Sequence, residues 1–224
     1  MKSLTAVAVV ICGSLHCLSA QEANPALLRE ADAVRLVLAL HKARLSAYSW
    51  TEHIEVRVKE DLRTTSEFFC RYNSKGEVVR TAKPGPDDQK HAKRRKNSKT
   101  DDYIERAISL IRNYLPPDPD RIEAMLLNGT ASLGPTESGK SAIRFERYFM
   151  AGDVMTFQYD PVSKVLLHVS ITATLGKKKD PVTLQAEFEP LPDKTVHMTS
   201  SLLDAKKQNV QVKTTNIEYQ KIGD

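Results

Sequence analysis

One stretch of the chain satisfies a phosphate-binding pattern letter for letter. Gly134-Pro135-Thr136-Glu137-Ser138-Gly139-Lys140-Ser141 reads G-x-x-x-x-G-K-[ST]. In such a loop backbone N–H groups cradle phosphate oxygens, the lysine neutralises charge and the hydroxyl holds magnesium. That chemistry needs a buried strand before the loop and a helix after it. Only Ala131-Ser132-Leu133 precedes it here, and Ser141 to Arg147, with Ile143 and Phe145, favours a strand. No apolar run ending in aspartate supplies a second magnesium ligand. The expectation is a polar hairpin loop.

Other residue types capable of chemistry lack partners. His41, His53, His91, His168 and His197 show no metal-ligand spacing. His168 and His197 fall in the polar phase of their segments and are expected to be exposed. Cys70 lies in the strand-like run Glu67 to Tyr72 with no local base, so it reads as a small buried hydrophobe. Asp118 and Asp120 read as helix caps rather than as an acid/base pair. There is no G-x-S-x-G. Asn128-Gly129-Thr130 fits a glycosylation sequon, with meaning only in a eukaryotic secretory route. No catalytic residue, metal ligand or cofactor is expected.

The strongest charge feature is a basic run. Lys90, Lys93, Arg94, Arg95, Lys96 and Lys99 occur within ten residues that contain no acid. The net charge is +5, so the rest of the chain is near neutral. A solvated loop is the plain reading. Contact with an anionic membrane surface is the functional one, at about 1 kcal/mol per basic residue. Nucleic acid is not expected, because no aromatic residues interleave for base stacking.

The 224 residues are 41% apolar and 27% charged, an ordinary globular composition. Met1-Lys2-Ser3, the apolar run Leu4 to Cys12 and the small residue Ala20 have the layout of a signal peptide over 1–20. Lipid attachment at Cys17 fits poorly, because His16 is bulky. Residues 21–224 then form one exported domain, soluble and periplasmic, with Cys70 as its one remaining cysteine.

The elements follow from periodicity and breakers. Asn24 caps and Pro25 opens a helix whose apolar stripe is Leu27, Ala31, Val34, Leu38 and Leu45, ending near Ser46 to Ser49. Trp50, Ile54, Val56 and Val58 then share one phase of a strand. A second strand lies near Ser66 to Tyr72, a turn at Asn73 to Gly76, and a third strand over Glu77 to Thr81. A loop over 84–100 leads to a helical pair over 101–128. The first of these helices carries Ile104, Ile108, Ile111 and Leu115 and is stopped by Pro116-Pro117; the second is capped by Asp118 and closed by Asn128-Gly129. The remainder is a meander. Met155, Phe157 and Tyr159 alternate, as do Val165, Leu167, Val169, Ile171 and Ala173, then Val182, Leu184, Ala186 and Phe188. Two last strands surround Val196-Met198 and Val210-Val212, with a bulge expected between Val212 and Ile217.

This order resembles the periplasmic lipoprotein-carrier superfamily, the LolA/LolB-like half-barrels. The resemblance is carried by Leu45-Ser46-Ala47-Tyr48-Ser49-Trp50-Thr51, from helix into first strand, and by the strand, turn and strand from Val154 to Val165. Asn113 to Pro119 is similar to a segment of exported bacterial proteins of the same layout. The resemblance implies an α+β fold in which a curved antiparallel sheet, a half-barrel, wraps over an N-terminal helix and a central helical insertion. It also implies a concave apolar side that holds acyl chains.

The combined expectation is a non-catalytic exported binding protein, not an enzyme, for a lipid or lipoprotein acyl chain held between sheet and helices. Candidate cavity residues are Trp50, Ile54, Val56, Phe157, Val169, Ile171, Leu184 and Phe188. The alternative is an envelope interaction or scaffold module with a filled core. For the phosphate-loop pattern, Lys140→Ala is expected to shift stability by no more than about 0.5 kcal/mol, and no magnesium nucleotide should raise the melting temperature of either form. A nucleotide-dependent rise lost in Lys140→Ala would restore the phosphate reading.

Overall fold

The computed structural model describes residues 25–83, 99–134, 139–175 and 180–223. The signal-peptide segment, the Asn24 cap and Lys90, Lys93, Arg94, Arg95 and Lys96 of the basic run lie outside them. Lys99 is described, exposed at the first position of a helix.

The elements in chain order are α1 (Pro25–Leu45), β1 (Tyr48–Val58), β2 (Asp61–Tyr72), β3 (Val78–Ala82), α2 (Lys99–Tyr114), α3 (Pro119–Leu127), β4 (Ala131–Leu133), β5 (Ser141–Glu146), β6 (Val154–Tyr159), β7 (Leu166–Leu175), β8 (Asp180–Pro190), β9 (Val196–Ala205) and β10 (Val210–Lys221). A 3₁₀ turn, Lys206–Gln208, joins the last two strands. The strands form one ten-stranded open sheet in the order β3-β2-β1-β10-β9-β8-β7-β6-β5-β4. Every neighbouring pair is antiparallel. The fold is therefore the α+β half-barrel the sequence implies. Short turns make sequence neighbours into sheet neighbours; the one pairing between chain-distant strands is β1 with β10. The two free edges, β3 and β4, are linked through the segment that contains α2 and α3.

Local signals explain the boundaries. Asp118 accepts from the Asp120 N–H at 3.2 Å and Pro119 sits in the first turn of α3. Asn73 Oδ1 accepts from the Lys75 and Glu77 N–H groups, and Gly76 supplies a φ of +73° to that turn. The phosphate-loop pattern joins β4 to β5, which pair directly, Leu133 opposite Ile143, and a strand rather than a helix follows it. Gly134 has a packing reason: a Cβ there would meet the Ala142 Cβ at 2.9 Å.

One apolar core runs through the molecule. It joins Leu27, Ala31 and Val34 of α1 and Ala107, Leu110 and Ile111 of α2 to the inward residues of β1 and β5–β10. Three readings of phase and exposure need correction. At the start of β7 the inward residue is Leu166, at 1% exposure, and not Leu167, because the β6–β7 register shifts between Gln158 and Tyr159. In β10 no bulge separates Val212 from Ile217: Thr214 and Asn216 continue the inward phase, and Ile217 faces outward. The irregularity comes one residue later, at Glu218, with φ +57°, where the β1–β10 register shifts between Ser49 and Thr51. His197 is buried, at 8% exposure, rather than exposed.

A buried carboxylate ties α2 to the sheet. Asp153 Oδ2 accepts from the Phe149 and Met150 N–H groups, each at 2.8 Å, and from the Tyr114 hydroxyl. Burial and this carboxylate push the Tyr114 phenol well above its usual range. Tyr114→Phe strips one donor from a buried charge and is expected to cost about 1.5–3 kcal/mol, read from urea unfolding. An unchanged midpoint would show that the contact holds nothing together.

Candidate functional site

The core is interrupted at one end of the molecule. There the C-terminal half of α1, the Leu115–Pro117 turn and strands β1, β2, β3, β8, β9 and β10 surround a cleft. Its empty space, solvent at the mouth included, is about 730 Å³. The part in which a water molecule's centre fits is about 70 Å³, so the walls stand close together. Two breaks in regular structure create it. Pro116-Pro117 ends α2 after Tyr114, because proline cannot donate to the helix ladder. The Glu218 irregularity then turns Tyr219 toward Trp50, the re-aiming that bulges characteristically do. Thr51 donates to Glu218 Oε2 at 2.8 Å and accepts from Lys83 Nζ at 2.7 Å, which fixes the irregularity.

Aromatic rings make one wall. Trp50 stacks on Tyr219 with centroids 5.6 Å apart and tilts against Tyr72 at 5.5 Å. His197 meets the Tyr219 ring edge-on at 4.3 Å. Leu38 and Leu45 of α1, Leu115, Phe188, Val196 and Met198 supply aliphatic and further aromatic surface.

Polar groups are set into this apolar frame. Glu52, at 4% exposure, takes a two-pronged ion pair from Arg80: Nε to Oε1 at 2.8 Å and Nη2 to Oε2 at 3.1 Å. Three buried polar atoms of lining residues have no partner among the described residues: Trp50 Nε1, His197 Nδ1 and Asn216 Oδ1. The Asn216 amide nitrogen and the Tyr219 hydroxyl both donate to the Met198 carbonyl, at 3.1 and 3.2 Å, so the amide oxygen is left over. Each unmet group costs about 1–3 kcal/mol of desolvation that hydrogen-bonding groups of an occupant would recover. One group donates, one accepts, and a neutral imidazole nitrogen does either.

Burial keeps the two phenols of the aromatic wall in their neutral form. Burial raises the Tyr72 phenol to about 12 and pushes the Tyr219 phenol above its usual range. It also raises the Cys70 thiol to about 12, so that thiol is not a ready nucleophile. Among the described residues no group of three or more His, Cys, Asp or Glu could hold a metal ion. The cleft can offer apolar contact, aromatic faces and a few hydrogen bonds.

The expected cavity residues divide. Trp50 and Phe188 line the cleft. Ile54, Val56, Phe157, Val169, Ile171 and Leu184 are all buried in the packed core and do not line it. Apolar alternation marks every inward residue and cannot distinguish a filled stretch from an open one. Tyr72, His197, Asn216 and Tyr219 escaped the sequence reading, as did Glu52 and Arg80. A usable signal existed: Glu52 interrupts the apolar phase of Trp50, Ile54 and Val56, and Asn216 extends that of Val210 and Val212. A polar residue in an apolar phase is expensive to bury and marks a special environment.

No family model matches the chain and no curated protein matches it. Solved structures of similar arrangement exist. One is a DUF1329 family protein from Desulfovibrio piger, at 7% identity over 88% of this chain and 94% of that one, TM-score 0.47. Another is a LolA superfamily protein from Nitrosomonas europaea, at 7% identity over 89% and 93%, TM-score 0.41. A third is a proposed outer membrane lipoprotein-sorting protein domain from Vibrio parahaemolyticus, at 11% identity over 86% and 94%, TM-score 0.38. The resemblance to LolA-like proteins is one of helix and sheet arrangement.

Two lining histidines give the site a pH signature. His41 Nδ1 accepts from the Val196 N–H at 3.1 Å, which a protonated ring could not do. Burial lowers the His41 pKa below 6.5, with Arg44 adding to the effect and Asp193 opposing it. Burial also lowers that of His197, opposed by the Glu189 backbone and carboxylate. The unfolded chain thus binds protons more readily, and stability must fall as pH drops below about 6.5 toward the folded-state values, by at most about 1.4 kcal/mol per pH unit per histidine. Urea unfolding at pH 7.5 and 5.5 should show that fall, and His41→Gln should reduce it; an unchanged pH dependence in His41→Gln would refute the assignment.

Proposed function

We propose that the protein is a non-catalytic exported binding protein whose cleft takes an apolar or amphiphilic ligand, a lipid or an acyl chain of a lipoprotein. The observation that carries this reading is the coincidence of three things at one place. The packed core opens, an aromatic wall of Trp50, Tyr72 and Tyr219 lines the opening, and three unmet polar atoms are gathered there. Buried polar atoms are normally paired, and these three belong to residues that line one opening. Entry of a chain needs Leu38, Leu45 and Met198 to move aside, since the walls are close. Each methylene then buried contributes about 0.8 kcal/mol, so even a modest chain offsets the rearrangement. Among the described residues no helix is long and apolar enough to cross a membrane.

The alternative is an envelope interaction module without a small ligand. It draws on the filled stretch of core around Phe157, Val169, Ile171 and Leu184. One experiment divides the two. Protein recovered from a bacterial periplasm without detergent is expected to carry lipid, detected by mass spectrometry after solvent extraction. Leu38→Trp, which places an indole in the cleft from α1, is expected to lose that lipid and keep its melting temperature within a few degrees. Wild-type protein free of lipid, and indifferent to added acyl chains, would leave the interaction module as the better reading.

A further inference from the structure

Beside the apolar cleft lies a second, more open groove. The two share Lys42, Tyr72, Val78, Arg80 and the Leu115–Pro117 turn, so one runs into the other. The second groove adds Arg112 from the last turn of α2 and Arg121 from the start of α3. Its character is opposite: four cations, Lys42, Arg80, Arg112 and Arg121, with one lining carboxylate, Asp118. Arg80 is held by Glu52. Asp118 is occupied in capping α3. Among the described residues, Lys42, Arg112 and Arg121 have no carboxylate within ion-pair distance.

Arg121 is placed rather than loose. The Arg121 guanidinium lies over the Tyr148 and Phe149 rings, at 5.5 and 5.2 Å from their centroids, and donates to the Tyr148 carbonyl at 3.4 Å. Arg112 stands near Arg80, and partial desolvation followed by that like charge lowers its pKa. Unpaired guanidinium groups held by aromatic faces are a recurring means of binding carboxylate and phosphate oxygens. A ligand with its chain in the cleft would present its other end to this groove.

We propose that the groove is a head-group subsite, and that the ligand is an anionic amphiphile whose phosphate or carboxylate is bound by Arg112, Arg121 and Lys42. This rests on the cleft being a binding site. It narrows the ligand class from any apolar chain to one that carries a negative charge at the end of its chain. It also assigns the protein's anion recognition to residues around the Pro116-Pro117 turn rather than to the basic run at 90–99.

Affinity is measured by Trp50 fluorescence for three probes below their aggregation concentrations: dodecyl phosphate, the uncharged dodecyl maltoside and inorganic phosphate. The expected result is at least tenfold tighter binding of dodecyl phosphate than of the maltoside, with an advantage that shrinks as salt rises. Arg112→Gln, a change at an exposed position, should remove most of that advantage and leave maltoside affinity within about twofold. Arg112→Lys should restore part of it. Inorganic phosphate should bind far more weakly than dodecyl phosphate. Equal affinity for the two amphiphiles, or no effect of Arg112→Gln, overturns the head-group proposal and leaves the cleft reading standing. Failure of both amphiphiles to bind overturns the cleft reading and this proposal with it. Inorganic phosphate bound as tightly as dodecyl phosphate overturns the link between groove and chain.

Discussion

A ten-stranded antiparallel sheet with one apolar face has to cover that face, and among the described residues three helices, of 21, 16 and 9 residues, do it. The connection between the sheet's free edges, β3 and β4, supplies two of them. α1 supplies the third and packs on α3, where Arg35 approaches Glu123 at 3.5 Å. Over β5 to β7 and the Leu184 part of β8 this cover is complete, and Phe157, Val169, Ile171 and Leu184 are buried in the packed core. It is incomplete where α2 stops at Pro116-Pro117. The cleft is what remains between that stop, the end of α1 and the strands beneath.

The polar groups near the cleft follow from the same geometry. A charged residue on the inward face of β1 can exist only with a partner, and Glu52 has one because β3 brings Arg80 within reach across β2, Cys70 standing opposite both Trp50 and Arg80. That pair orders the rim between the apolar interior and the basic groove. The unmet atoms of Trp50, His197 and Asn216 are a different matter. They lower the stability of the empty protein and make it receptive to an occupant with hydrogen-bonding capacity, the usual exchange between stability and function at binding sites. A greasy slot beside a cationic groove is a natural fit for an amphiphile.

Much of the fold was legible because local physics decides it. The stripe of α1, the stop at Pro116-Pro117, the Asp118 cap and the alternation Val182, Leu184, Ala186, Phe188 all appear in the structure where periodicity and capping place them. What was not legible is what depends on chain-distant pairing. No local pattern says that β10 lies beside β1, so none says that Tyr219, His197 and Asn216 surround Trp50. The inward phases at the start of β7 and along β10 were hidden for a related reason. Leu166 and Leu167 are equally apolar, so only pairing with Tyr159 selects the inward one. In β10 the inward residues Thr214 and Asn216 are polar, so counting apolar residues placed a break where the strand is regular. The site was thus half visible: Trp50 and Phe188 stood out as apolar, and the polar residues that distinguish a site from a core did not.

Trp50 is the chain's single tryptophan and stands in the cleft wall, so its emission reports on the site alone. The most direct measurement is a fluorescence titration with a fatty acid brominated along its chain, whose bromine atoms quench an indole only on near contact. Saturable quenching that an unbrominated chain competes away is the result expected. An emission that stays unchanged up to the solubility limit of the probe would contradict a ligand in this cleft.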